Sequence, residues 1–577
     1  MNRHDIQNSN NDSQDETAAH ESDRVLRLPE SDSCASSDLL QGTGASRNTG
    51  KSQDIMSEFV LKLKLVHPLS YIDQSVSRKY VRRMFIFDFP VVNETTINEA
   101  TSAIRNGVAV ALKHFPFLTG MLGPANHDEK DNVLLRYGHI DELRQIRDET
   151  FKTRVHKGSE LIDLGGYDHL SRVGMPTSCL NMQDYCATDP EWTMPRWIPV
   201  FAMQANFLED GALILCLEFQ HSVADGFSIG MFLSILSLGI RGALTIDSVP
   251  KYDDCDIDST FENHILELQE ISKTDTFPEW DFRNFKLPPR KQVDSHIVTM
   301  SAKTVAEMKR RITIHIHDHF PDEDRWVSSI DCICAMLWVY ISRARLLEGD
   351  STTIFTTAVN ARGKFIDEVV KSYFGNMFTT VSLRTKARHI VPKPSYDKLS
   401  PRKRILPPVE LGEIAEVAAN IREELELIDQ DYVLQRMARL ATLTKPTEAA
   451  VAAQRACRPA ETGVRFGSLV KFGADVPFGI PGTTGDGTAR FCRKPWMRDE
   501  GMINLLPRKG GTKGDADWEI LLCLPDKTIS ALLKEDELGQ FVEKHVHDND
   551  PSKHGKRRTT RPGGRSINLI GTEKVLF

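Results

Sequence analysis

No C-x-x-C pair occurs among the ten cysteines of this 577-residue chain, which are scattered singly from Cys34 to Cys523. The closest spacing, Cys332-x-Cys334, falls in a helical run where the two side chains diverge. A disulfide framework or a zinc ribbon needs a different pattern, so free, mostly buried thiols in a reducing compartment are expected. Long apolar runs are missing too. The longest, Ile229 to Ile240, includes serine and glycine and is too short to span a bilayer. The first twenty residues are mostly Asn, Asp, Ser and Gln rather than the apolar core of a secretory signal, and Lys574-Val575-Leu576-Phe577 is not a peroxisomal address. There is no excess of positive charge: the net charge of −8 argues against general nucleic-acid binding. Neither a Walker nor a dinucleotide glycine fingerprint is present, because Gly479-Ile480-Pro481-Gly482 lacks the spacing. These absences leave a soluble, cytoplasmic, monomeric globular protein as the expectation, with too many residues for one compact core and therefore two domains.

Apolar periodicity organises what is there. Residues 1–55 are polar and rich in Ser, Asp and Asn, and read as disordered. A first domain covers 56–240, with a strand over Tyr80–Phe87, an amphipathic helix from Ile97 to His114, and strands near Val200 and over Ala212–Phe219. Residues 241–295 are acidic and poorly periodic and read as a crossover linker with a short helix at Phe261–Ile271. A second domain covers 296–541. It holds helices at Ala302–Arg311 and Ile330–Leu346, a hairpin of Met502–Pro507 with Trp518–Leu524, and a closing helix at Asp526–Leu538. Residues 542–577 read as a basic disordered tail, a solvated run rather than a nucleic-acid patch. His315, His317 and His319 resemble a metal set, but their setting beside a charged loop favours a surface loop. Mixed strands and helices in this order predict an α/β fold.

One short stretch stands out: His221-Ser222-Val223-Ala224-Asp225-Gly226, between a buried strand and a helix starting at Phe227. Strand, tight turn and helix put His221 at the mouth of a sheet, where a base can meet a ligand. Asp225 lies four residues on, and Gly226 permits a backbone angle that other residues resist. The plainer reading is a satisfied core histidine with Asp225 as the N-cap of the next helix. A metal reading needs further ligands, and none of the right kind is evident.

H-x-x-x-D-G in the first half of a chain of this size resembles the BAHD-type acyltransferases, particularly their fungal trichothecene O-acetyltransferase-like branch. Further segments agree in order: His114–Gly120, Ser328-Ser329-Ile330-Asp331 with Ala335–Trp338, Asn360-Ala361-Arg362, Tyr373–Asn376, Pro495-Trp496 and Leu506–Gly511. The resemblance covers roughly residues 57 to 541. The family's D-F-G-W-G appears only as Asp475-Val476-Pro477-Phe478-Gly479, and its upstream Ser-Trp as Ser468-Leu469.

The resemblance implies a two-domain, chloramphenicol-acetyltransferase-like α/β fold with mixed sheets and the active site at the domain interface. It implies acyl transfer, most simply acetyl transfer, from acyl-CoA as co-substrate to a hydroxyl of a secondary metabolite, with no permanently bound cofactor or metal. His221 is then the general base, for which a neutral imidazole of ordinary pKa near 6.5 is suited. Asp225 pairs with Arg362, and with Gly226 the three hold the turn in place. The phosphates of coenzyme A need cationic donors, for which Arg493, Lys494 and Arg498 are candidates beside the reading of a solvated surface. Three alternatives remain: an amine acceptor, a condensation-type relative, whose usual second histidine is here Gln220, and a degenerate member without activity.

Overall fold

The computed structural model describes residues 60–548, except 61–62, 126–130, 139–149, 158–164, 190–195, 274, 284–292, 322–324, 392–394, 397–403, 406–407, 457–461, 496–498, 511–513 and 535–536. The segment 1–55 and the basic residues from 553 to 565 lie outside the described residues.

Burial explains the strand that leads into the motif. Ala212–Gln220 is buried at all nine positions, and its neighbours Tyr80–Asp88 and Phe201–Leu208 pair with it antiparallel on either side. A strand covered on both faces needs no polar alternation, which is why its sequence is a nearly continuous apolar run. Phe491–Arg493 joins at one edge and Phe151–His156, parallel to its neighbour, at the other, completing a five-stranded sheet. Alternation sorts the faces. Phe85, Phe87, Leu215, Leu217 and Phe219 meet the helices Glu94–His114 and Gly226–Ile240, while Met84, Ile86, Ile214 and Cys216 pack on Tyr167, Leu170, Leu180 and Tyr185.

The two helices on the first face touch through glycine. A Cβ added at Gly107 would sit 2.5 Å from Ile240 Cγ1 and 2.8 Å from the Leu236 carbonyl oxygen, and one at Gly239 would sit 2.9 Å from Gly107 Cα. Asn93 caps the first helix, its Oδ1 accepting from the Thr96 amide at 3.0 Å.

A seven-stranded mixed sheet runs in the order Phe378–Lys386, Thr352–Asn360, Val464–Ser468, Met502–Leu505, Trp518–Cys523, Ser295–Met300 and Lys544–Asp548. Val464–Ser468 is parallel to both its neighbours, and the other pairs are antiparallel. The expected 502–524 hairpin is therefore part of this sheet. Helices Ala302–His319, Ser329–Ala344 and Leu411–Glu426 share its core, with Trp338 fully buried and its indole N–H donating to Thr353 Oγ1 at 2.8 Å. No helix among the described residues is long and apolar enough to cross a membrane.

Some boundaries differ from the sequence reading. The helix expected over Ala302–Arg311 continues to His319, because Ile312 and Ile316 extend the buried stripe begun by Val305 and Met308. His315, His317 and His319 therefore belong to a helix and not to a surface loop, with the rings of His315 and His319 stacked 3.9 Å apart one turn along. Residue 541 does not end the ordered chain: Lys544–Asp548 adds a strand to Ser295–Met300, and Val546 gives it a buried anchor among the otherwise polar residues. The closing helix spans only Asp526–Leu532. The linker helix lies at Glu262–Ser272, about one residue on from the expected Phe261–Ile271.

Gly107→Val should destabilise the protein by about 1–3 kcal/mol, since the helices must separate to admit the side chain. Equilibrium urea unfolding measures the loss, and unchanged stability would show that the contact can relax freely.

Candidate active site

The buried strand delivers His221 to a fixed point by main-chain bonds. The His221 amide donates to the Lys79 carbonyl at 2.9 Å, and the amides of Val223 and Ala224 both return to the Gln220 carbonyl. The His221 carbonyl is held from the other side, accepting from Asn376 Nδ2 at 2.6 Å. The imidazole stacks against Phe378 with ring centroids 6.1 Å apart, and its Nδ1 is sealed from solvent. Burial pushes the His221 pKa down, while a bond to its own backbone and the Asp225 charge pull it up; Arg465 and Arg83 add to the downward shift. The ring is thereby kept neutral at ordinary pH.

Asp225 faces away from this ring's chemistry. Its Oδ1 accepts the Ser228 amide at 3.0 Å, capping the Gly226–Ile240 helix. Its carboxylate takes a two-pronged bond from Arg362, Nη1 to Oδ2 at 2.7 Å and Nη2 to Oδ1 at 3.3 Å, and Oδ2 accepts the Met377 amide at 3.1 Å. Arg362 also donates from Nε to the Tyr373 carbonyl, from Nη2 to the Gly375 carbonyl and from Nη1 to Asn360 Oδ1. The guanidinium is 2% exposed and lies 4.5 Å from the centroid of the Phe227 ring. The plain cap reading of Asp225 and the arginine-partner reading hold together in one carboxylate.

Gly226 has a different reason from the one its type implied. It is absent from the positive-φ glycines; instead, a Cβ there would strike the Phe472 ring at 2.9 Å. The glycine lets the loop after Val464–Ser468 approach the helix N-terminus. In the altered D-F-G-W-G remnant, the Asp475 carboxylate accepts the Gly510 amide at 2.8 and 2.9 Å, and Phe478 is buried against Phe85 and Phe87.

Asp73 and the bridging part of Asn376 were missed in the sequence. Asp73 Oδ1 accepts both the amide and the side-chain Nδ2 of Asn376 at 2.7 Å, and Oδ2 accepts the Tyr373 hydroxyl at 2.6 Å. Burial raises the Asp73 pKa, against hydrogen bonds from Tyr373, Asn376 and Ser70 that lower it. The chain Tyr373–Asp73–Asn376 thus ends on the His221 carbonyl. The available signal was Ser70-x-x-Asp73, a capping box at the start of the Tyr71–Ser75 helix.

The basic candidates separate. All five Arg493 N–H groups are committed inside the protein, to the Met175, Cys492 and Gly174 carbonyls and to both Glu519 oxygens. Lys494 Nζ donates to Asn504 Oδ1 at 3.1 Å, and burial, with Arg83 and Arg465 nearby, pushes its pKa down to about 7. Arg498 lies outside the described residues. For a metal, Cys186, Cys216 and Glu218 bring ligand atoms within 4.8 Å of one another. Glu218, however, is already neutralised by Arg82 Nε at 2.8 Å and holds the amides of Ala187 and Thr188.

Comparison with known proteins gives the chain's family and fold. The family model described as "Transferase family" matches residues 182–538, and that of the trichothecene 3-O-acetyltransferase-like N-terminal domain matches 80–239. The communesin N16 acyltransferase of Penicillium expansum is 24% identical over 508 residues, 82% of this chain and 97% of its own length. An O-acetyltransferase of Penicillium ochrochloron is 22% identical over 81% of this chain and 95% of its own. Among solved structures, F. graminearum TRI101 complexed with coenzyme A and deoxynivalenol superposes with a TM-score of 0.62 at 18% identity, covering 83% of this chain and 99% of that one.

Asp225→Asn should cost about 3–5 kcal/mol of stability by leaving a buried guanidinium unpaired, read by urea unfolding, and should lower activity through misfolding or a misplaced turn. A stable variant altered only in its pH profile would contradict that role. The chain belongs to the Transferase family, as a BAHD-type acyltransferase related to the trichothecene 3-O-acetyltransferase-like proteins.

Proposed function

We propose that this enzyme transfers an acyl group, in the first instance acetyl, from acyl-CoA to a hydroxyl of a secondary metabolite, with His221 as general base. The observation that carries the reading is a histidine kept neutral by burial and fixed by its own main chain at the end of a rigid strand. Family membership supplies the acyl-CoA-dependent reaction class, and relatives named O-acetyltransferases support the acceptor class.

In the step proposed, His221 Nε2 accepts the hydroxyl proton as the oxygen attacks the thioester carbonyl carbon, forming the C–O bond. Collapse of the tetrahedral oxyanion breaks the C–S bond, and the imidazolium returns its proton to the departing thiolate. No acyl-enzyme is needed. Asp225, Gly226 and Arg362 act as positioning residues, since Asp225 is already a helix cap and an arginine partner and is not free to relay charge. Arg493 fits a structural tie better than a seat for phosphate, because its donors are already committed. One chain supplies both His221 and the groups that hold it, in keeping with a monomer, and a cytoplasmic setting suits a soluble co-substrate.

An amine acceptor is the second reading, favoured by the relative named as a communesin N16 acyltransferase. The same base serves both nucleophiles.

Thiol release from acetyl-CoA, measured against paired alcohol and amine acceptors, tests the proposal. His221→Ala should lower acceptor-dependent release by roughly 10²–10⁴-fold. Acceptor-dependent release that survives in the folded variant would remove His221 as the base.

The pH profile is a separate check. Only neutral His221 can take the proton, and its pKa is lowered. The acid limb of kcat/KM should therefore fall below the ordinary histidine value of about 6.5, with activity lost as pH drops through it. A limb above that value would show that burial and neighbouring cations do not govern the base.

A further inference from the structure

We propose that Arg83, Lys494 and Arg465 form an anion subsite beside His221 that takes a carboxylate carried by the acyl donor or by the acceptor, close to the reacting carbonyl. The inference rests on the acyl-CoA reading above and narrows its substrate class.

The topology brings the three cations together from separate strands. Phe491–Arg493 pairs with Tyr80–Asp88 in the register Arg493↔Met84, so the next residue, Lys494, comes level with Arg83. Arg83 itself pairs with Leu217 of the strand that ends at His221. From the other sheet, Asn504 receives the Lys494 ammonium and lies opposite Gly467, two residues beyond Arg465. Gly467 lets the Asn504 amide pack close to this strand, since a Cβ there would meet Asn504 Oδ1 at 2.9 Å. These registers gather Arg83, Lys494 and Arg465 near the end of the strand that leads to His221, and in keeping with that Arg83 and Arg465 both push the pKa of His221 and of Lys494 down.

What the group lacks is negative charge. Among the described residues, buried Arg83 makes one hydrogen bond, from Nη1 to the Arg82 carbonyl at 2.9 Å, and Lys494 makes one, to a neutral amide. Among the described residues, none of the three has a carboxylate partner. The two acids nearest in sequence to His221, Glu218 and Asp225, are held by Arg82 and Arg362. Like charges gathered under partial burial are unfavourable, which is why burial and the two arginines bring the Lys494 pKa down to about 7. A bound anion would hold that ammonium protonated, and such clusters mark sites rather than cores. The phosphates of coenzyme A are the other anions at hand. The pantetheine arm, however, holds them far from the thioester, whereas this cluster acts on the base itself.

Isothermal titration calorimetry on the full chain tests the assignment with two matched pairs: malonyl-CoA against acetyl-CoA, and 4-hydroxycinnamic acid against its primary amide, with free coenzyme A as reference. In the wild type, the acid of one pair should bind roughly tenfold tighter than its neutral counterpart, the size of one charge-assisted bond. A preference in the first pair puts the carboxylate on the donor; a preference in the second puts it on the acceptor. Lys494→Met and Arg465→Gln should each bring that ratio towards one. Arg465 is exposed, so Arg465→Gln keeps the test decisive if Lys494→Met does not fold. No preference in either pair, with coenzyme A still bound, overturns the subsite alone. Equal weakening of coenzyme A and both acyl-CoAs in the two variants also overturns it, by making the cluster a phosphate seat. Failure of the folded wild type to bind coenzyme A at all overturns the acyl-CoA reading with it.

Discussion

The buried bond between Asp225 and Arg362 is the constraint on which the site's geometry depends. Taking both charges out of water is costly, and an ion pair repays this only when the remaining donors and lone pairs are also satisfied. Here they are. Arg362 reaches three carbonyl or amide oxygens beyond the carboxylate, and Asp225 takes two main-chain amides in addition. Those partners come from the start of the Gly226–Ile240 helix and from the segment between Asn360 and Met377. Neither segment can shift without stranding a charge. The pair therefore contributes more to where the turn sits than to overall stability.

With the turn fixed, the histidine needs no side-chain orienter. Its amide and carbonyl are each tied, to Lys79 and Asn376, and Asn376 is in turn held by Asp73. A second buried carboxylate thus supports the same loop through an amide, while Tyr373 adds a hydroxyl to Asp73 and a carbonyl to Arg362. The two carboxylates share this Tyr373–Met377 segment as a common frame. That arrangement separates holding the imidazole from tuning it, because no carboxylate is hydrogen-bonded to the ring among the described residues.

Much of this was legible in the sequence where one short motif carried both chemistry and fold. The apolar run 212–219 specified a buried strand, and the spacing of His221, Asp225 and Gly226 located the turn. The Asp225–Arg362 partnership came from the resemblance and not from spacing: 137 residues separate the two, and no local pattern links them. Asp73 escaped because a capping box looks the same whether its acid is solvated or buried under another segment. Gly226 was assigned the wrong physical reason, since sequence cannot distinguish a glycine needed for its backbone angle from one needed to admit Phe472. Arg493 and Lys494 looked alike as a basic run, yet strand alternation sends one to Glu519 and the other towards Asn504.

The cations near His221 set two requirements against each other. Positive charge lowers the affinity of the imidazole for a proton, which keeps the ring neutral but would also make it a weak base. If an anionic ligand group settles among Arg83, Lys494 and Arg465, it cancels that field and strengthens the base only while the ligand is present. Linkage makes the coupling reciprocal: protonation of His221 would tighten the anion's binding by the same factor that the anion raises the histidine's proton affinity. As the proposed base, His221 would then be weak in the empty enzyme and gain strength as the substrate arrives. In the mechanism proposed for His221, attack by the acceptor leaves the imidazole positively charged, and the same bound anion would stabilise that imidazolium more than the neutral ring. It would therefore favour the transition state over the ground state, which is the condition for a binding group to accelerate the chemistry and not merely retain the substrate.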